Sequence, residues 1–326
     1  MNENLMPSTD APKSAKTITQ QSPPSDAVSL SWSEEDIENR IGLFKGGRYT
    51  SPNKLLGFGL AVLTTAAFFA GIVYVFSNTP WLERFSLAFV RPRNLYTTIP
   101  ATLLFFWAIM MLNVKLRKLR FQERALDLAA LPQQPDFVLN EASAKAVLER
   151  VHRLVDHPRH FILLNRIERA LSNLHNLGGV GEVSTILKDQ AEMDENQIAS
   201  SYTFVNGLVW CVPVLGFIGT VSGLSAGISN FAKTLQAAGD LEAIKAGLQG
   251  VTSGLATGFE TTLVALVFAL LIQLYIHYLQ QKEMEFMDRC NDYCQSYVIS
   301  KLRLANRPRR AADEEGAGVT GMNSPA

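Results

Sequence analysis

Four long stretches of this chain contain no Lys or Arg: Leu55 to Ser77, Leu95 to Val114, Phe204 to Phe231 and Leu255 to Leu279. Each approaches or exceeds the ~20 apolar residues that cross the hydrocarbon core of a bilayer. Buried helices of soluble proteins seldom run this long without a basic side chain. The expectation is an all-α protein with four transmembrane helices. Composition alone would hide this, because 30 basic and 30 acidic residues in 326, with 47% hydrophobic residues, also suit a large globular domain. What matters is that the apolar residues are bunched.

The balance of charge excludes one class of partner. With a formal net charge of zero and no basic stripe, the chain lacks the clustered Lys and Arg that phosphate binding needs, so nucleic acid is not expected. Cys211 lies inside the third stretch, and Cys290 and Cys294 fall one helical turn apart beyond the fourth. Two thiols without a His at ligand spacing are too few for a closed zinc site. No metal and no cofactor is expected. No Gly-x-x-x-x-Gly-Lys-Ser/Thr loop points to ATP use, and no catalytic constellation points to an enzyme.

About fifty polar residues precede the first stretch, without a short apolar region and a small-residue cleavage site, so no secretory signal is expected. Their Ser, Pro, Thr and Gln richness up to Leu30 reads as a disordered tail, after which Ser33 with Asp36 resembles a capping box opening a short helix through Ile41. Basic residues near the spans set orientation. Lys45, Arg48 and Lys54 precede span one, Lys115, Arg117, Lys118, Arg120 and Arg124 follow span two, and Lys282 and Arg289 follow span four. Opposite them stand Arg84, Arg91 and Arg93 in one loop and Lys233 and Lys245 in the other. Both termini are therefore expected in the cytoplasm. The expected domains are a tail over 1–50, spans one and two over 51–114, a cytoplasmic helical domain over 115–203, spans three and four over 204–280, and a helix with a disordered tail over 281–326.

In the polar domain, Pro132, Pro135, Pro158 and the Gly178, Gly179, Gly181 cluster break the helices. Leu148, Val151, Leu154, Phe161, Leu164, Ile167, Leu171 and Leu174 recur at helical spacing and need a packing partner. His152, His157, His160 and His175 sit among Arg and Asp, which favours solvated faces over a metal site. Beyond Arg307 the chain turns basic, then acidic and Gly-rich, and is expected to be disordered.

The chemistry concentrates in spans three and four. Gly219, Gly223 and Gly227 recur every four residues, as do Gly250, Gly254 and Gly258. Small residues at this interval let helix backbones approach closely in lipid. Span four also holds Thr257, Glu260, Thr261 and Thr262. A carboxylate at membrane depth costs at least ~2.5 kcal/mol unless it is protonated, paired or facing water. Glu260 is therefore a functional candidate, with the alternative that span four begins later and leaves it at the rim. Counted from the ends nearest the polar domain, Thr220 lies roughly 24 Å up span three and Thr262 roughly 25 Å up span four. Two hydroxyls at one level can relay protons or line a narrow water file. The alternative is that each bonds back to its own helix.

The run Pro213-Val-Leu-Gly-Phe-Ile-Gly-Thr-Val-Ser-Gly-Leu224 resembles the Pro-x-x-Gly-x-x-Gly-Thr-Val-x-Gly signature of the MotA/TolQ/ExbB family of proton-channel proteins. Thr261-Thr-Leu-Val-Ala-Leu266 is similar to its Thr-Thr-Ala-x-Gly-Leu segment, with Ala265 where the family usually has Gly. The resemblance covers about the last third of the chain, and the four-span layout is more like MotA than the three-span TolQ and ExbB. It implies a homopentamer in a bacterial inner membrane, with the third and fourth helices lining a pore. A dimeric single-span partner of the MotB/TolR/ExbD kind would supply a proton-carrying Asp. By motif match, Thr220 and Thr262 would face that Asp. The membrane Glu of TolQ and ExbB falls where this chain has Thr257. Aligning Glu260 to it instead would move Ala265 onto the second threonine position, so the register with Thr262 is preferred. A secondary transporter and a non-conducting scaffold remain as other classes, the first disfavoured because spans one and two do not echo three and four.

Overall fold

The structure, a computed structural model, describes residues 30–32, 49–78, 89, 95–128, 130–131, 137–172, 174, 179–237 and 241–303. Most of the expected N-terminal tail, residues 1–29 and 33–48, lies outside these residues, and with it the Ser33–Asp36 capping box, its helix through Ile41, and Lys45 and Arg48. So do Arg84, Arg91 and Arg93, Pro132, Pro135, His175, Gly178 and the tail from Arg307. Every described element is helical: α1 Lys54–Asn78, α2 Leu95–Asp127, α3 Glu141–Leu154, a 3-10 turn Pro158–His160, α4 Ile162–Ser172, α5 Val180–Ser201, α6 Thr203–Ala237 and α7 Leu241–Tyr293, followed by a π-helical turn Cys294–Ile299. Four of the helices are long and apolar enough to cross a membrane.

The four apolar stretches are these helices, but three of them outlast the apolar sequence. Once a helix is nucleated, each further residue adds a hydrogen bond at little cost, so a polar continuation that finds packing partners stays helical. α2 has 33 residues and passes without a break from Val114 into the basic run Lys115 to Arg124. α7 has 53 residues, about 80 Å of rise. α1 runs antiparallel to α2: the Trp107 indole N–H donates to the Lys54 carbonyl at 3.1 Å, and the Phe58 and Trp107 rings meet edge to face at 5.0 Å.

α2 and α7 run parallel and are joined by a descending series of side-chain contacts. Phe105 stacks on Phe268 at 4.2 Å between centroids. The Tyr275 hydroxyl donates to Asn113 Oδ1 at 2.9 Å. Lys115 pairs with Glu283 at 2.8 Å, Arg289 pairs with Glu123, and the Tyr293 hydroxyl accepts from the Leu131 N–H at 3.2 Å.

The polar end is held by buried ions. Lys115 and Glu283 are 2% and 1% exposed. Lys115 also donates to Ser201 Oγ at 2.7 Å and Thr50 Oγ1 at 3.1 Å, and its ammonium lies 4.3 Å from the centre of the Tyr202 ring. The Tyr202 hydroxyl donates to the other Glu283 oxygen at 2.6 Å. The corner between α5 and α6, the segment before α1, α2 and α7 thus meet at one ion pair. Lower down, Arg166 of α4 pairs with Asp194 of α5 at 2.7 Å and donates to Asn291 of α7 at 2.5 Å.

The periodic apolar residues of this end close around these ions. Val151, Phe161, Leu164, Ile167, Leu171 and Leu174 are all buried, with Leu148 and Leu154 packed against them. Asn140 and Ser143 form a reciprocal capping box at the start of α3. Trp32, from the segment before span one, inserts between Phe121, His160 and Phe161, and its backbone N–H donates to Asp156 Oδ1 at 2.8 Å. Tyr49 holds a left-handed backbone (φ 55°), rare for a bulky residue, while its hydroxyl accepts from Asn165 Nδ2 at 2.8 Å. Among the described residues, no group of three or more His, Cys, Asp or Glu is placed to hold a metal. Cys290 and Cys294 are buried and Cys211 is exposed.

Breaking one partner of a buried pair strands the other charge. Glu283→Gln is therefore expected to destabilise the protein by about 3–5 kcal/mol, seen as a lower midpoint of thermal unfolding in detergent. Lys115→Met combined with Glu283→Leu removes both charges and should recover most of that loss.

Candidate functional site

Helices α6 and α7 cross with almost nothing between their backbones. A Cβ built on Gly258 would lie 2.8 Å from the Thr220 Cα, one on Gly254 2.6 Å from the Gly223 carbonyl oxygen, and one on Gly223 2.8 Å from the Gly254 oxygen. Gly219 would meet Thr261 Oγ1 at 2.5 Å and Gly227 the Val251 Cα at 3.1 Å. Side chains at these positions have no room, so glycine is a packing requirement here. Gly250 differs: nothing lies within 4 Å of a Cβ built there. Gly216, which the four-residue repeat does not mark, is as tight as any of them, its Cβ falling 2.6 Å from that of Ala265. Gly247 likewise would meet the Phe231 ring at 2.6 Å.

Close approach carries backbone carbonyls to the partner helix, and threonines are waiting there. Thr220 Oγ1 lies 3.0 Å from the Gly258 carbonyl of α7 and 3.4 Å from the Gly216 carbonyl of its own helix. Thr262 Oγ1 lies 2.9 Å from the Gly216 carbonyl of α6 and 3.2 Å from its own Gly258 carbonyl. The two hydroxyls are also in direct hydrogen-bond contact with each other. The arrangement is reciprocal. Gly216-Phe-Ile-Gly-Thr220 on one helix faces Gly258-Phe-Glu-Thr-Thr262 on the other, running the opposite way. Each glycine makes room for the other segment's threonine and offers it an oxygen. Bonds across the crossing are shorter than bonds back to the same helix, and each hydroxyl has both kinds.

Hydrogen counting shows what this cluster can do. Two hydroxyls bring two hydrogens, while five contacts among the pair and the two carbonyls compete for them. The Thr261 hydroxyl also donates to the Gly258 carbonyl, at 2.8 Å. That carbonyl already serves an N–H in its own helix, leaving about one lone pair for three hydroxyls. A hydroxyl displaced from it can turn toward a visitor without leaving a carbonyl orphaned. Thr220 and Thr262 are both half-buried, so a visitor can reach them.

The remaining candidates stand around this pair. Thr257 is buried, its hydroxyl donating to the Ser253 carbonyl at 2.8 Å. Glu260 is half-buried and is not among the hydrogen-bond partners of the pair. Ala265 is 1% exposed in the helix crossing. The Gly-Phe-x-x-Thr string that occurs at both 216–220 and 258–262 is a sequence signal of the reciprocal clasp that the reading by depth did not use. Nothing in the sequence marked the residues behind it, Thr97 and Thr98 of α2, which are both 3% exposed.

Ala at Gly258 would force the crossing apart, and overpacking of this kind costs about 1–3 kcal/mol. Ala at Gly250, in open space, should be neutral or gain up to about 1 kcal/mol from helix propensity. Thermal unfolding of the two variants in detergent, side by side with the parent, measures the contrast.

Comparison with known proteins gives one match: residues 157–292 fit the model of the MotA/TolQ/ExbB proton channel family. No curated protein and no solved structure matches the chain. The matched segment starts at His157, so it takes in α4 and α5 of the polar end as well as the α6–α7 crossing. Over residues 157–292 this chain is similar to the MotA/TolQ/ExbB proton channel family.

Proposed function

We propose that the chain is the channel subunit of an ion-motive-force-driven membrane motor, and that Thr220 and Thr262 receive the ion-carrying carboxyl of a single-span partner of the MotB/TolR/ExbD kind. The observation that carries this reading is the shared hydroxyl pair at the α6–α7 crossing, inside the segment that matches the family. The subunit would assemble as a homopentamer in a bacterial inner membrane. Both termini and the polar helical domain would lie in the cytoplasm, and the partner dimer would occupy the central pore.

The pair suits both states of a titrating carboxyl. A carboxylate only accepts hydrogen bonds, and a threonine hydroxyl released from a contested carbonyl supplies one. A protonated carboxyl donates instead, and the same hydroxyl accepts through a free lone pair. Protonation removes a charge that is costly at membrane depth, and ionisation on the low-proton side restores it. Alternation between the states allows the ion gradient to step the pentamer around its partner. The register with Thr262 is supported by the buried Ala265, which has no polar atom to offer and is enclosed in the crossing. Glu260 stands beside this path. The absence of other carboxylates in the four apolar stretches favours H⁺ over Na⁺.

Thr220→Val combined with Thr262→Val keeps shape and removes both hydroxyls. A hydrogen bond to a charged group contributes about 1.5–3 kcal/mol, so ion flux through the assembled complex should fall by roughly ten- to a hundredfold. The complex itself should still form with its partner, and Thr→Ser at both positions should retain flux. Normal ion-driven output from the double valine variant would show the pair to be packing alone and return the scaffold reading.

A further inference from the structure

Thr98 is a buried hydroxyl of a spanning helix, 3% exposed, whose Oγ1 has no hydrogen-bond partner among the described residues. Threonines in such helices ordinarily donate to the carbonyl four residues back, as Thr102 does to Thr98 at 2.7 Å and Thr64 does to Leu60 at 2.9 Å. Thr98, the fourth residue of α2, makes no such bond. Leaving a hydroxyl buried and unbonded costs about 1–3 kcal/mol, and lipid offers no relief.

Thr98 sits next to a polar junction that lies behind the threonine pair. Thr98 shares a face of α2 with Phe105, two turns further on, whose ring stacks on Phe268 of α7. Two turns back along α7 from Phe268 is Thr261, which is buried. The adjacent Thr97 and this Thr261 converge on one point. Their Oγ1 atoms lie 3.2 and 2.5 Å from the place a Cβ of Gly219 would occupy. Gly219 precedes Thr220 and Thr261 precedes Thr262, so this junction of α2, α6 and α7 lies directly behind the pair. Pro100, inside α2, has no N–H, and the Tyr96 carbonyl therefore lacks its helical donor. A buried water needs two to four polar partners, and this turn of α2 with Thr261 supplies them.

We propose that the Thr97–Thr98–Thr261 junction is a hydration site whose water, bonded to Thr98 Oγ1, joins the hairpin end of the bundle to the back of the Thr220–Thr262 pair. The link to ion movement rests on the function proposed above, whereas the hydration itself does not. Thr98 is a positioning residue in this scheme: it holds the water and does not touch the ion carrier.

Cysteine accessibility in native membranes separates the two parts. In a Cys211→Ser background, with the buried Cys290 and Cys294 retained, Thr98→Cys and Ala108→Cys are each treated with a small charged methanethiosulfonate. Ala108 is fully buried lower on the same helix. Only a hydrated thiol ionises readily, so Thr98→Cys is expected to react at least about tenfold faster than Ala108→Cys. Equal rates would mean a dry junction and overturn the proposal. Ion flux is then read for Thr98→Val and Thr98→Ser at matched levels of assembled complex. Loss in the valine variant with retention in the serine variant supports the link to the pair. Unchanged flux in Thr98→Val, while Thr220→Val with Thr262→Val lowers it as expected, would sink that link and leave the proposed function standing.

Discussion

The absence of side chains at the α6–α7 crossing is the constraint from which the rest follows. In lipid, apolar surface gains nothing by leaving its solvent, so helices are held by close packing and by polar groups that find one another. Glycine serves both ends here. At Gly216 and Gly258 it lets backbones meet, and it also turns each carbonyl into an acceptor for the opposite helix. Thr220 and Thr262 are consequently bonded into the crossing itself. The lock and the half-buried hydroxyls are the same few atoms, so the contacts there are oversubscribed instead of neatly paired.

The other end of the molecule solves a different problem. Helices that leave the membrane lose the support of lipid and need a core of their own, and here that core contains ions. Lys115 with Glu283, and Arg166 with Asp194, each join elements that are distant in the chain. Apolar residues would pack these junctions at least as stably, since desolvating charges is expensive. What ions add is direction: Lys115 has hydrogen-bond partners on α6's preceding corner and on the segment before α1, and it contacts α7, so few alternative registers satisfy it.

Much of this was legible without coordinates, for identifiable reasons. The spans were readable because Lys and Arg are excluded from long stretches, a signal that needs no knowledge of neighbours. Thr220 and Thr262 stood out because a rise of 1.5 Å per residue converts position into depth. The glycine stripe was less legible. Steps of four residues advance about 40° beyond a full turn, so a straight string of glycines rotates off the interface, and Gly250 has turned away while Gly258 has not. Lys115 was readable only as a charge that sets orientation, and Glu283 only as part of a polar helix. Nothing in one sequence pairs charges so far apart. Trp32 was likewise hidden, just past a tail whose composition suggests no structure, yet its indole fills a gap among Phe121, His160 and Phe161.

The series of contacts between α2 and α7 has a mechanical consequence. Stacked rings, a tyrosine bond, two ion pairs and a tyrosine-to-backbone bond fix these parallel helices at successive levels from the hairpin side to the polar end. Two rods tied at intervals cannot twist or slide independently, so they behave as a single beam, far stiffer in torsion than either alone. A force applied where α7 crosses α6 reaches the far end of that beam, tens of ångströms from the threonines, with little lost to bending.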